Sequence, residues 1–288
     1  PEEYLVTLQA EKAVIRRRDE GIATQLDIAV STEDDVEVRR LTVTNQSDRP
    51  RELEVTSYAE IALASLRDDM THPVFSKLFV ETEYLPESAA LVCTRRPRSK
   101  DEGVWAVHVL SVDGRMQGPV EWETDRARFL GRGRSPEDPV ALDGRPLSGT
   151  TGAVLDPIVS LRQRIRLAPG GFVRLSFATG MALSRDAALA MAQKYHDPSA
   201  AARTFALAFT HAQSTLRHLG ISSDEAQLFE RLASRVMYAD ASMRARPELL
   251  SQNVLGQSGL WAHGISGDLP ILLVRVVEED AIPLVRQA

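Results

Sequence analysis

Cysteine is nearly absent from this chain. Cys93 is the only one in 288 residues, which excludes an internal disulfide framework and any cysteine-based zinc cluster. It lies in the strand-like run Leu91-Val92-Cys93-Thr94 and reads as a buried, inert thiol rather than a nucleophile. An excess of positive charge is also missing. The 34 Lys and Arg residues against 40 Asp and Glu give a net charge of −6, so a nucleic-acid partner has no electrostatic support. No apolar run approaches the roughly 18–20 residues that span a bilayer, and no signal peptide is recognisable. There is no G-x-S-x-G, no Walker loop, no H-E-x-x-H, and no G-x-G-x-x-G opening a helix, which removes the common signatures of esterases, nucleotide enzymes and zinc proteases. What remains has globular proportions, with 43% hydrophobic and 26% charged residues. That length and composition suit one large all-β domain with a helical extension, or two ordinary domains.

Alternation with a period of two dominates the first part. Leu53, Val55, Ser57, Ala59, Ile61 and Leu63 share one face, with Glu52, Glu54, Thr56, Tyr58 and Glu60 on the other. Leu161, Ile165 and Leu167 alternate with Arg162, Arg164 and Arg166, and Val173, Leu175 and Phe177 face away from Arg174 and Ser176. Strands that are dry on one side and wet on the other belong to antiparallel sheets stacked face to face. Turn clusters separate them at Ser31–Asp35, at Asn45-Gln46-Ser47-Asp48-Arg49-Pro50, and at Ala168-Pro169-Gly170-Gly171,. The apolar parity shifts between Val38 and Leu41, which predicts a bulge there. Residues 126–157, rich in Gly, Pro and Arg with little periodicity, predict a long excursion of the functional or disordered kind.

No helical pattern precedes Ser184. From there Ser184 caps a helix through Tyr195, and Asp197-Pro198 opens the next. Ala201, Phe205, Ala208, Phe209, Ala212, Leu216 and Leu219 repeat at helical spacing up to Gly220,. Ser222 with Glu225 forms a capping-box pattern, and Ala226, Phe229, Leu232, Ala233 and Val236 make the next stripe. The division expected is a β-sandwich over residues 1–180, a helical linker over 181–255, and a further helical region over 256–288. A last helix is expected from about Ile271, still running at Ala288 without a stop signal. With Pro1 in place of an initiating Met, this predicts a piece of a larger enzyme.

Few residues offer chemistry. Gly131-Arg132-Gly133-Arg134 can bind phosphate through Arg132 and Arg134 and backbone N–H groups, or it is a loop with solvated arginines. His211 and His218, seven apart on one helix, lack a third ligand and read as solvated or core-edge. His108 reads as a strand residue satisfied by backbone. Segment 256–270 is the best candidate for a ligand site. Trp261 offers a flat apolar face, and His263, Ser266 and Asp268 offer hydrogen bonds, a mixture that suits sugars. The alternative is a helical corner in which Trp261 packs in a core and Asp268 caps the helix starting at Leu269-Pro270.

Three runs resemble a known family. His72-Pro73-Val74-Phe75-Ser76-Lys77-Leu78-Phe79-Val80-Glu81-Thr82-Glu83-Tyr84, Asp125-Arg126-Ala127-Arg128-Phe129-Leu130-Gly131-Arg132-Gly133 and Leu260-Trp261-Ala262-His263-Gly264-Ile265-Ser266-Gly267-Asp268-Leu269-Pro270 are similar to the phosphorylase-like C-terminal region of bacterial cyclic β-1,2-glucan synthases. The Asp125–Gly131 run is also similar to cellobiose and chitobiose phosphorylases. The resemblance implies a mainly β fold: a large antiparallel supersandwich of the galactose-mutarotase type, then linker helices and the start of an (α/α)6 barrel. It implies inverting phosphorolysis with inorganic phosphate as possible co-substrate and no other cofactor. The catalytic acid is expected beyond Ala288, so no residue here takes that role. Gly264-Ile265-Ser266-Gly267-Asp268 stands where related phosphorylases carry a Gly-x-Arg-Asp-type sugar motif, but it lacks the Arg. The implied partners are a β-glucan oligosaccharide and the remainder of the parent chain. A homodimer is a further expectation, and no nucleic acid is expected. The implied location is the cytoplasmic face of the bacterial inner membrane, the fragment itself being soluble. Two other readings stay open. One is a stand-alone enzyme of aldose-epimerase type, for which His108 with Glu121 or Glu123 is the pair to nominate. The other is a non-catalytic dimerisation module.

Overall fold

The computed structural model describes residues 2–96, 103–238, 244–278 and 285. They fall into two compact units, residues 1–211 and 212–288. The first is built on a nine-stranded antiparallel sheet. Its first four strands form a meander: β1 (Glu3–Leu8), β2 (Ala13–Asp19), β3 (Ile22–Val30) and β4 (Val36–Asn45). The sheet continues through strands from later in the chain: β7 (Val80–Leu85), β8 (Ala90–Arg95), β9 (Trp105–Asp113), β11 (Gly152–Ala153) and β13 (Phe172–Ala182). Their spatial order is β1-β2-β3-β4-β13-β9-β8-β7-β11. A smaller sheet packs against one face. It contains β5 (Arg51–Thr56), β6 (Ala59–Glu60), β10 (Met116–Asp125) and β12 (Pro157–Leu167), with β12 in the middle.

The predicted alternations hold where they point inward. Leu53, Val55, Ala59, Ile61 and Leu63 meet Leu161, Ile165, Leu167, Val173, Leu175 and Phe177 in one core between the sheets. The other face of the large sheet is covered too. Helix α4 (Arg185–His196), capped by Ser184 as expected, lays Ala188, Ala192 and Tyr195 on Val36, Val38, Ala90, Val92, Val107, Val109 and Ala178. The start of α5 (Pro198–Leu219) adds Ala200 and Ala201 to this second core. The middle of the large sheet is therefore dry on both sides.

Several expectations change on this account. β4 contains no bulge, since its register with β13 and β3 is continuous from Val36 to Asn45. Val36 and Val38 face the helices while Leu41 and Val43 face the sandwich, so the parity shift marks a change of covered face. The register shifts lie in β10 instead, between Gln117 and Glu121 and between Glu123 and Asp125. Short helices occur before Ser184: α1 (Leu66–Thr71), α2 (Pro73–Lys77) and α3 (Arg126–Leu130). At five or six residues each they are too short to show a helical period.

The second unit contains the end of α5, then α6 (Ser223–Met237), α7 (Pro247–Leu250) and α8 (Ser258–Trp261). The capping box at Ser222 and Glu225 is formed. The helix expected from Ile271 does not form over its first part, because residues 269–277 have no regular secondary structure. Leu269, Leu273 and Val277 are largely exposed. A helix draws most of its stability from packing an apolar face, and these apolar side chains are not packed on any described residue to that extent. Residues 279–284 and 286–288 of that expected helix lie outside the described residues. Among the described residues no helix is long and apolar enough to cross a membrane.

His108 is buried between the sheets, and side chains rather than backbone satisfy it. Its Nε2 lies 2.8 Å from Ser57 Oγ and its Nδ1 2.8 Å from Thr179 Oγ1. Ser57 in turn accepts from Leu161 N–H at 3.0 Å, so the imidazole links β12 to β9 and β13. Burial, with a smaller contribution from the Arg39 charge, pushes its pKa down to about 4. A histidine held neutral in the fold stabilises it fully above the unfolded value near 6.5. That stability is lost as pH falls from there towards 4, and the loss levels off below the folded value. Urea unfolding from pH 7 to pH 4 is therefore expected to lose up to about 3 kcal/mol through this one group. His108→Gln should flatten that part of the pH profile, and an unchanged slope in the variant would show that other groups govern it.

Candidate functional site

The excursion after β10 is built from the helix end upward. Asp125 caps α3, accepting from Ala127 N–H at 2.8 Å. Gly131 then turns the chain at φ +83°, where a Cβ would press on Val140. Arg134 spreads its guanidinium over Asp138 and Asp143, with Nη2 2.7 Å and 2.9 Å from their carboxylates and Nε 2.7 Å from Asp138 O. The carboxylates raise its pKa further. The structure thus commits Arg134 to holding its own loop. Arg132, two residues away, is exposed, and no described residue pairs with it.

The floor beneath the excursion is Arg162. The alternation of Arg162, Arg164 and Arg166 with apolar residues reads as a wet face, but Arg162 is fully buried. Its Nε donates to Thr56 Oγ1 at 2.9 Å and its Nη1 to Arg145 O at 2.8 Å, while Nη2 donates to Ala141 O. Glu54 and Glu121 lie 3.6 Å and 3.5 Å from Nη1. The excursion caps this cation with its own carbonyls.

The returning limb is stitched along β10. Leu147 N–H donates to Glu121 at 2.9 Å, Ser148 Oγ donates to the buried Glu123, and Gly149 N–H donates to Trp122 O at 3.0 Å. Glu123 also accepts from the N–H groups of Thr124 and Asp125, both at 2.9 Å. Trp122 stacks on Tyr84 with centroids 3.7 Å apart. Glu121 and Glu123 are thus spent on the excursion, and His108 is sealed between the sheets. The acid–base pair nominated for an epimerase does not form.

At the rim of α3, Glu60 accepts from Tyr58 at 2.9 Å and from Arg126 at 2.8 Å. Partial burial opposes the Glu60 charge, yet these two donors, together with Arg126 and Lys77 as cations, hold its carboxyl below the ordinary value. Lys77 bridges to Asp156 at 3.2 Å, joining α2 to the same cluster. Sequence reasoning missed both Arg162 and this cluster. The resemblance of the run from Asp125 to Gly131 to the phosphorylases was the one available signal for the latter.

In the second unit, segment 256–268 closes on itself. Gln257 Nε2 donates to Ser266 O at 2.8 Å and to Asp268 Oδ1 at 2.9 Å. Trp261 Nε1 donates to Ser266 O at 3.3 Å. Gly264 and Gly267 have φ of +71° and +76°, and a Cβ on Gly267 would press on Gln257 and Leu260. Trp261 is 64% exposed, and His263, Ser266 and Asp268 are exposed with it. Asp268 caps no helix here, since residues 269–277 have no regular secondary structure. The loop presents an indole face with its N–H edge pinned, and a carboxylate oriented by one hydrogen bond. Cys93 is buried, and burial pushes its thiol up to about 12. Among the described residues no group of His, Cys, Asp and Glu is placed to hold a metal.

Residues 1–198 match the supersandwich domain of glycosyl hydrolase 94. The chain belongs to this family. Among curated proteins it is 35% identical over 280 residues to the cyclic β-(1,2)-glucan synthase NdvB of Rhizobium meliloti (strain 1021), covering 96% of this chain and 10% of that protein. It is 27% identical over 182 residues to the solabiose phosphorylase of Paenibacillus borealis, covering 62% of this chain and 22% of that one. Among solved structures a polysaccharide lyase matches 60% of this chain and 22% of its own with a TM-score of 0.37 and 15% identity, too distant to add to the assignment. This glycosyl hydrolase 94 chain therefore spans about a tenth to a fifth of the curated relatives named.

Arg162 carries the placement of the excursion. Arg162→Met leaves the Ala141 and Arg145 carbonyls without these donors, at a cost of about 1–3 kcal/mol for each, while Glu54 and Glu121 keep Arg164 as a partner. The excursion contains trypsin sites at Arg132 and Arg134. Limited trypsin digestion should cut there first in the variant, well below its unfolding midpoint. Equal resistance of variant and wild type would show that the excursion is held by other means.

Proposed function

We propose that this chain is the supersandwich part of an enzyme that processes β-1,2-glucan chains, serving as scaffold and supplying part of a sugar site. The observation that carries this reading is the 35% identity over 96% of the chain to a cyclic β-(1,2)-glucan synthase. The chemistry proposed is inverting phosphorolysis. Inorganic phosphate attacks the anomeric carbon while a carboxylic acid protonates the leaving glycosidic oxygen. No residue of this chain is assigned as that acid, and the segment after Asp268 is proposed as the entry to an (α/α)6 barrel that would carry it.

Within this reading Arg132 faces an anionic or polyhydroxyl ligand with its guanidinium free, held on a loop that Arg134 stiffens. Trp261 stacks on the C–H face of a pyranose ring. His263, Ser266 and Asp268 take hydroxyl groups. The partners are a β-glucan oligosaccharide and the remainder of the parent polypeptide, at the cytoplasmic face of the inner membrane.

Asp268→Asn separates this role from a structural one. The Asn side-chain oxygen still accepts from Gln257, so the loop and the melting temperature should be unchanged. Loss of a hydrogen bond to a charged group should lower kcat/KM for glucan processing by the intact enzyme by about 1.5–3 kcal/mol of transition-state binding. The isolated 288-residue chain should release no glucose 1-phosphate from β-1,2-glucan and phosphate. Wild-type turnover by the variant would remove Asp268 from the site, and phosphorolysis by the isolated chain would relocate the catalytic acid.

A further inference from the structure

One side chain of the 256–268 loop touches both of the groups that a ligand would meet there. Gln257 stands at the start of the short helix α8, and its backbone carbonyl accepts from Leu260 N–H at 2.9 Å. Its Nε2 crosses the loop to Ser266 O at 2.8 Å and to Asp268 Oδ1 at 2.9 Å. Both neighbours are acceptors, so the amide turns its NH2 group to them, and both of its hydrogens are used. The stem is confined as well. A Cβ on Gly267 would lie 3.0 Å from Gln257 Cγ, so the stem crosses where the backbone carries no side chain.

This contact decides what Asp268 can offer. A free carboxylate can grip two neighbouring hydroxyls, one with each oxygen. Here Oδ1 is engaged, and among the described residues no donor reaches Oδ2. The partner is a neutral amide, so the negative charge is not cancelled as it would be by Lys or Arg. A hydrogen bond from a hydroxyl to Oδ2 therefore keeps its charge-assisted strength. An exposed Asp side chain otherwise samples several rotamers, and ordering it in advance removes that cost from binding. Trp261 shares the same anchor, since its Nε1 donates to Ser266 O at 3.3 Å. The indole face and the free carboxylate oxygen are thus both tied to one carbonyl.

We propose that Gln257 is the positioning residue of this site, setting Asp268 to accept one hydroxyl of a pyranose stacked on Trp261. This role rests on the sugar site proposed above for Trp261 and Asp268. When the amide is removed, Trp261 still holds Ser266 O, so the loss falls on Asp268.

The test is a double-mutant cycle in the intact enzyme, read as kcat/KM for β-1,2-glucan processing. Asp268→Ala should lose about ten- to a hundredfold. Gln257→Met keeps the stem and removes the donor. It should lose about two- to tenfold with Asp268 present, and nothing further in the Asp268→Ala background. Gln257→Asn, whose amide is one methylene short of Asp268, should behave as Gln257→Met does. The melting temperature of the 288-residue chain should be the same for all these variants. An unchanged kcat/KM in Asp268→Ala removes the sugar site itself, and the role of Gln257 with it. A loss in Asp268→Ala with none in Gln257→Met leaves the site standing and overturns the role of Gln257 alone. Equal losses from Gln257→Met in both backgrounds, or melting temperatures that fall in step with activity, overturn it too by making Gln257 part of the framework of the loop.

Discussion

Strands covered on both faces constrain everything else in the first unit. In the middle of the large sheet, β4, β13, β9 and β8 lie between the smaller sheet on one side and α4 with the start of α5 on the other. Backbone polar groups there are used in the ladders, so any polar side chain must meet its partners inside the protein. His108 is the case that matters. It faces the sandwich, stacks near Phe177, and finds Ser57 on one sheet and Thr179 on the other. Asn45 does the same work at the sheet end. Its amide donates to Arg49 O, Leu167 O and Ala168 O, while its carbonyl oxygen accepts from Ser47. Two turns that look independent in sequence are thereby locked to one side chain.

The outer face of the smaller sheet obeys the same logic with a charge in place of an amide. An arginine removed from water needs its donors filled. The sheet supplies Thr56, Glu54 and Glu121, and the excursion supplies the carbonyls of Ala141 and Arg145. Sheet and loop are thus mutually dependent. This explains how so long a stretch without regular structure is ordered. It also explains why Arg132 projects from a firm support, with the neighbouring Arg134 spent on Asp138 and Asp143.

The sandwich was legible in the sequence because alternation reports one covered face. Leu53 to Leu63 and Val173 to Phe177 were placed correctly on that basis. Where the covered face changes along one strand, alternation misleads. Val36 to Val43 looks like a bulge and is a regular strand passing from one core to the other. Arg162 was misread for a related reason, since residue type says water while the fold supplies partners from residues 141 and 145. Caps were easier, because Ser184 and Ser222 act within one helical turn. Of the candidate ligand residues, the sequence pointed to both segments that carry them, but it could not show that Arg134 is engaged and Arg132 is not.

The second unit shows the limit of local information most clearly. The turn at 256–268 holds its shape through Gln257, whose amide reaches both Ser266 and Asp268, and through glycines at positive φ. None of those contacts needs a neighbouring layer, so the turn forms without one. The segment after it differs. Leu269, Leu272, Leu273, Val276 and Val277 have apolar spacing compatible with a helix, but they stay exposed and irregular. Helix formation in water is weakly favourable at best without an apolar surface to pack on. Trp261, His263, Ser266 and Asp268 therefore sit on a self-sufficient turn. The segment after it depends on a surface that these residues do not themselves provide.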